Sequence, residues 1–327
     1  MQQINLRRLK LVLRVVNVME QYSLVLYGKE ELKWTRHILP PLKKDEVLIK
    51  TIAGAISIGA ELPQYMESDF TEKSPNYPKE TGYESYGEII GIGNEVKSFK
   101  NGDRVVAFYG HKDYGVIKAH KAIPVPKGIN HSDALLTILS CDSAKGVLKL
   151  SPKETDKVLV TGMGTMGLLT LYFLKEYMKV HHIDVLEPNA ARVELAKLLG
   201  ANNVFNDESE CPRNFYKYGL ECSARNDAFK LLQKSLLVNG EICILSDGNK
   251  EQFELQSEFY EKELKIVGSS DGWDYKKHSE WYFENIKRKG SQLHKIFELK
   301  ISKQELIQCF EDLSKRKINP LKILVKY

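Results

Sequence analysis

Six residues, Gly162-Met163-Gly164-Thr165-Met166-Gly167, follow the apolar run KVLV and open a second one, LLTLYFLKEYMK (168–179). Glycines at the first, third and sixth places suit a strand-to-helix turn against a pyrophosphate. The first permits a tight turn, the second lets backbone approach the phosphates, and the third lets helix and strand pack closely. The phosphates then meet the helix N-terminus, with Thr165 and Met166 in its first turn. Glu187 ends the next strand-like stretch, HHIDVLE (181–187), 20 residues after Gly167, where a carboxylate accepts hydrogen bonds from an adenosine ribose. That carboxylate repels a 2′-phosphate, and Pro188-Asn189-Ala190-Ala191 brings no cation before Arg192. NAD is therefore expected over NADP, with Arg192 leaving NADP open. Lys322, two residues past Pro320, is either a cation that reaches a phosphate or an ordinary surface lysine.

The elements that must hold this turn come in two textures. From Glu20 to about Pro126 the chain runs in short stretches such as EVLIKTI (46–52), GEIIGIG (87–93) and DRVVAFY (103–109), punctuated by Gly, Pro, Asn and Asp. Such spacing predicts a β-rich, barrel-like unit, with Asn101-Gly102 as a tight turn between two strands. From about Ser143 strand and helix alternate, including a helix over NDAFKLLQKSLLVNG (226–240) and a strand over EICILS (241–246). Alternation of this kind predicts a parallel sheet covered on both faces. A tail with helix-like SEWYFENIKRKG (279–290) and KQELIQCFEDLSKRK (303–317), then a strand PLKILVKY (320–327), is expected to pack back on the first unit. The fold class is thus α/β, a barrel domain plus a doubly wound parallel sheet. The expected division is residues 19–143 with 272–327, and residues 144–271 for the dinucleotide; residues 1–18 are expected to be an extension outside the fold.

With its dinucleotide turn set between a β-rich first domain and a returning tail, the chain from Met19 onward resembles the medium-chain dehydrogenase/reductase superfamily, whose fold is that of the zinc alcohol dehydrogenases. EVLIKTIAGAIS (46–57), GYESYGEIIGIGNEVKSFKNGDRV (82–105) and KLLGANNVFN (197–206) carry the resemblance besides the glycines. It implies a GroES-like catalytic barrel, a Rossmann domain, and a homodimer, for which GEICILSDG (240–248) is the expected edge strand. The superfamily's zinc positions correspond to Ser57, Tyr83 and Leu139, none of which binds zinc well, and no cysteine occurs before Cys141, so the structural-zinc lobe is missing. A zinc-free protein is expected. The runs Ile56–Glu61 and Gly82–Ser85 look most like the branch containing bacteriochlorophyllide hydroxyethyl dehydrogenase. Without metal something protic must polarise the substrate oxygen. Tyr83 and Ser57 inherit the position, Tyr83 being either a donor or a ring packed against a neighbour, and Ser57 a structural hydroxyl in preference to a catalyst. Glu61 and Glu84 are acids among small and apolar residues and call for partners, Glu61 being expected to face the substrate. Asp142 reads as an N-cap in preference to a base, and His111 as a plain loop histidine in preference to a residue lining a substrate mouth.

Composition excludes the remaining classes. With 43% hydrophobic and 28% charged residues the chain is neither collagen-like, disordered nor a disulfide scaffold. No apolar run approaches the ~20 residues of a membrane helix. The net charge of +5 concentrates in residues 1–18, which carry Arg7, Arg8, Lys10 and Arg14 without an acid, so the body lacks a basic face for nucleic acid. Five widely spaced cysteines with no CxxC pair read as reduced cytoplasmic thiols. The chain is expected to be an oxidoreductase interconverting a secondary alcohol and a ketone. An NADPH-dependent enone or quinone reductase and a nucleotide-binding sensor without turnover are the alternatives.

Overall fold

Along Glu46–Ile56 the residues Val47, Ile49, Thr51, Ala53 and Ala55 are all buried, the period of two that a strand with one covered face requires. This long strand is the spine of a seven-stranded, barrel-like sheet. It pairs antiparallel with Glu84–Ile92, Tyr114–Lys118 and Lys322–Lys326. Arg104–Ala107, Ile123–Pro124 and Phe297–Ser302 complete the sheet. Gly102, with φ of +91°, forms the expected turn ahead of Arg104. The computed structural model describes residues 19–247 and 249–327, so the expected 1–18 extension lies outside the described residues.

The second sheet is parallel throughout. Its order across the sheet is Val204–Phe205, His182–Leu186, Lys157–Thr161, Tyr216–Glu221, Leu236–Ile244 and Lys265–Gly268. Val158, Leu159 and Val160 are fully buried in succession, which only a strand covered on both faces can achieve. Chain direction across the sheet reverses at Lys157–Thr161. The crevice outside the carboxyl ends of Lys157–Thr161 and Tyr216–Glu221 is therefore the switch point at which such sheets bind ligands.

Three elements depart from expectation. The helix after Asn226 ends at Ser235, and Leu236 already pairs with Tyr216 in the sheet. The helix has buried its apolar face by then, on Ala228, Phe229, Leu231 and Leu232, while Leu237 and Val238 are exposed. The expected edge falls instead in an interior strand, Leu236–Ile244, because Lys265–Gly268 pairs on its far side and is itself the edge among the described residues. The tail contributes an unanticipated strand, Phe297–Ser302, parallel to Lys322–Lys326. The helix Thr137–Leu150 bridges the two halves: the Ser143 hydroxyl donates to the Met166 carbonyl (3.3 Å), and His278 of the helix Tyr275–Lys289 meets Ser140 at 2.9 Å.

Candidate functional site

The glycine turn is shaped by what a side chain would strike. A Cβ on Gly167 would lie 1.8 Å from the Gly162 carbonyl oxygen, and one on Gly162, whose φ is +82°, would lie 2.8 Å from Ser223. Around Gly164 nothing stands within 4 Å, so the middle glycine faces open space. Gly164 also caps the helix Thr165–Glu176 without a side-chain hydrogen bond. The N–H groups of Thr165, Met166 and Gly167 are thereby left for an anion. Glu187 stands beside this turn and is buried: its Oε2 accepts from the Met163 N–H (2.6 Å) and its Oε1 from the Asn189 N–H (2.8 Å). Arg192 Nη1 lies 3.8 Å from the same carboxylate. Open glycine, free N–H groups and a held carboxylate fit a dinucleotide.

Sequence reasoning missed Glu221, which ends the neighbouring strand and is fully buried. It accepts N–H groups from Ser223 (2.7 Å) and Ala224 (3.1 Å) and the hydroxyls of Ser223 and Ser246. Burial pushes its carboxyl up, against these donors. Its effect is to fix Ser223 against Gly162. The available signal was an acid closing the apolar run YGLE, parallel to the strand that feeds the glycines.

Across the cleft the antiparallel pairing of Ala55 with Glu84 sets the ends of two strands side by side, and Ser57 and Tyr83 follow from them. Tyr83 Oη donates to Ser57 Oγ at 2.6 Å. Burial, then the charge of Glu84, pushes the Tyr83 phenol well above its usual 10, so it stays protonated and donates. Glu61 does not face the substrate side. Its Oε1 accepts the Ser57 N–H (2.8 Å) and its Oε2 meets His111 Nε2 (2.9 Å), because one turn of the helix Ile58–Tyr65 carries it back beneath Ser57. His111 is correspondingly buried, at 1% exposure, and is no open loop histidine. Gly82 makes room for it, since a Cβ there would come within 2.7 Å of the imidazole.

Lys322 is neither a surface lysine nor directed at the phosphate turn. Its Nζ donates to Glu84 Oε1 at 2.6 Å in the barrel interior, where both side chains are at most 1% exposed. The antiparallel pairing of Lys322–Lys326 with Glu46–Ile56 carries it there. Glu84 Oε2 is sealed without a partner among the described residues, and burial raises the Glu84 carboxyl despite the lysine. Asp142 is also misplaced by the sequence. It lies inside the helix Thr137–Leu150, not at its cap, and its Oδ1 accepts from the Tyr275 hydroxyl at 2.8 Å. Phe108, whose ring meets Tyr275 edge-on at 4.9 Å, lines with Gly82, Tyr83 and Tyr109 an open groove of about 350 Å³.

The family description "Alcohol dehydrogenase GroES-like domain" matches residues 43–185. L-threonine 3-dehydrogenase of Vibrio cholerae is 26% identical over 254 residues, which is 65% of this chain and 73% of that one. A Sinorhizobium meliloti protein described as a zinc-binding dehydrogenase, solved with NADP, superposes with a TM-score of 0.81 at 16% identity, over 94% of this chain and all of that one. Acetophenone reductase from Geotrichum candidum, in complex with NAD, gives 0.79 at 19% identity over 94% and 97%. Residues 43–185 thus match an alcohol dehydrogenase GroES-like domain, and the chain shares the fold of these dehydrogenase structures. It is an oxidoreductase. At the positions expected for zinc the chain offers two hydroxyls bonded to each other and the buried, apolar Leu139. That donor set does not fit zinc, which takes thiolate, imidazole or carboxylate. Among the described residues no group of three or more His, Cys, Asp or Glu is placed to hold a metal.

Proposed function

We propose that this dehydrogenase interconverts a secondary alcohol and a ketone by hydride transfer with NAD, and does so without zinc. The Tyr83–Ser57 hydroxyl pair carries the reading. Because Tyr83 gives its hydrogen to Ser57 Oγ, the serine keeps its own hydrogen to offer a substrate oxygen. The phenol behind it makes that hydrogen more acidic through the shared chain of bonds. Glu61 and His111 fix the serine backbone from beneath. The bound nicotinamide supplies the hydride acceptor or donor. Gly162, Gly164, Thr165, Met166 and Gly167 would hold its pyrophosphate, and Glu187 its adenosine ribose. The runs Ile56–Glu61 and Gly82–Ser85 support placing the chain near the bacteriochlorophyllide hydroxyethyl dehydrogenase branch, and five unpaired thiols support a cytoplasmic setting.

A second reading, NADPH-dependent reduction of an activated double bond, draws on one observation. Arg192 stands 3.8 Å from Glu187, and burial, followed by Arg225 and Arg192, lowers the pKa of Lys250, so three cations share that neighbourhood. The deciding experiment is a screen of alcohols, ketones and enones with both nicotinamides, following absorbance of the reduced ring and identifying the product. Ketone-to-alcohol turnover after exhaustive chelation supports the proposal. A saturated carbonyl product, or one zinc per chain whose removal abolishes turnover, overturns it.

A further inference from the structure

Asp142 stands at the seam between the two halves of the cleft. Its neighbour Ser143 touches Met166 of the glycine turn. Its other neighbour, Cys141, sits so close to the chain before Tyr275 that a Cβ on Gly272 would lie 2.6 Å from the Cys141 sulfur. The carboxylate itself is held from one side. Tyr275 Oη accepts the Gly272 N–H at 2.7 Å and so must donate its hydrogen to Asp142 Oδ1. Oδ2 takes no hydrogen bond from a described residue, and it is not sealed as Glu84 Oε2 is. Four other acids near the cleft are committed: Glu61 to Ser57 and His111, Glu84 to Lys322, Glu187 and Glu221 to backbone and hydroxyls.

We propose that Asp142 is the catalytic base of alcohol oxidation and, in reverse, the acid of ketone reduction. The substrate O–H bond breaks, its proton passes to Asp142 Oδ2, and its electron pair becomes the second bond of the carbonyl. The hydrogen on carbon leaves with its two electrons to the oxidised nicotinamide that the activity itself requires. The proton on Asp142 passes to water once the ketone departs. The charged and titratable groups around Asp142 suit this exchange. Burial foremost, then the charges of Asp271, Glu84 and Asp247, push its carboxyl up to about 7, against the hydrogen bond from Tyr275. A base works best near the operating pH. Asp142 also acts on the hydroxyl pair opposite, since its charge helps keep the Tyr83 phenol protonated.

The inference rests on the alcohol–ketone reading, and the experiment separates the two. The pH dependence of kcat/KM for alcohol oxidation is measured on wild type, Asp142→Asn and Tyr275→Phe, while carboxyl carbons are followed by NMR against pH in the cofactor-free proteins. Wild type should gain tenfold per pH unit up to about 7 and then level. Asp142→Asn should lose on the order of 10²- to 10⁴-fold on the plateau, together with the break. In the cofactor-free protein one carboxyl should titrate near 7, vanish in Asp142→Asn and move upward in Tyr275→Phe, whose lost donor had favoured the charged form. Turnover of an alcohol by wild type with the break intact in Asp142→Asn overturns the inference alone, as does a Tyr275→Phe break that stays in place. Failure of wild type to turn over any alcohol or ketone overturns the alcohol–ketone reading first, and the inference with it.

Discussion

Two hydroxyls 2.6 Å apart share one hydrogen and leave the other to give away. Tyr83→Phe should therefore cost turnover about 10²- to 10³-fold, the usual loss when one preorganised donor to a developing oxyanion is removed, and Ser57→Ala should cost at least as much, since the serine holds the outgoing hydrogen. NADH dissociation constants should stay put in both variants, and near-wild-type turnover in both would take the hydroxyls out of the mechanism. Glu187→Ala should weaken NADH and tighten NADPH, because it removes a buried carboxylate from the ribose side and frees Arg192; titrations showing wild type already preferring NADPH would reverse the assignment. Residue types at this scale were legible, but directions were not. The glycines and Glu187 could be placed because local strand–turn–helix geometry fixes them. Glu61, Lys322 and Asp142 point where long-range pairing sends them, beneath Ser57, onto Glu84 and toward Tyr275, and no local spacing encodes that.

At the scale of an element, the glycine turn separates shape from binding. Gly164→Ala adds a methyl into open space, so the fold should keep its thermal midpoint while NADH affinity falls, the methyl meeting the phosphates instead of protein. Gly167→Ala puts a Cβ 1.8 Å from the Gly162 carbonyl, which forces the helix Thr165–Glu176 away from its strand and should destabilise the fold itself. Equal stability of the two variants would show that the turn relaxes as a unit. The strand Glu46–Ile56, with its period of two, read correctly from the sequence, and the apolar run 168–179 supplies most of the helix Thr165–Glu176. The early end of the helix at Ser235 and the strand Phe297–Ser302 did not, because each depends on a partner strand distant in sequence. The same holds for the interior place of Leu236–Ile244, which only the later strand Lys265–Gly268 decides.

At the scale of the molecule, the strand Lys265–Gly268 has no further pairing strand among the described residues and forms one edge of the parallel sheet. An uncovered edge is a pairing site, and we propose that a second copy covers it; a light-scattering mass equal to one 37.4 kDa chain at micromolar concentration would refute the dimer. Cohesion between the returning tail and the rest can be tested through His278, whose ring is buried against Phe173, Trp281 and Tyr282 and meets Ser140 on the bridging helix. Burial lowers its pKa from 6.5 to about 4. Between those values the unfolded chain binds a proton at this residue and the folded chain does not, so acid favours unfolding. The stability held above pH 6.5 is lost as pH falls toward 4, on the order of 3 kcal/mol from this group. His278→Gln keeps a polar partner for Ser140 and removes the titration. Denaturant midpoints measured from pH 7 to 4 should fall less steeply in the variant than in wild type, even if the variant starts lower. Parallel curves would mean that His278 is already protonated in the fold, or that the tail has come away before the histidine titrates.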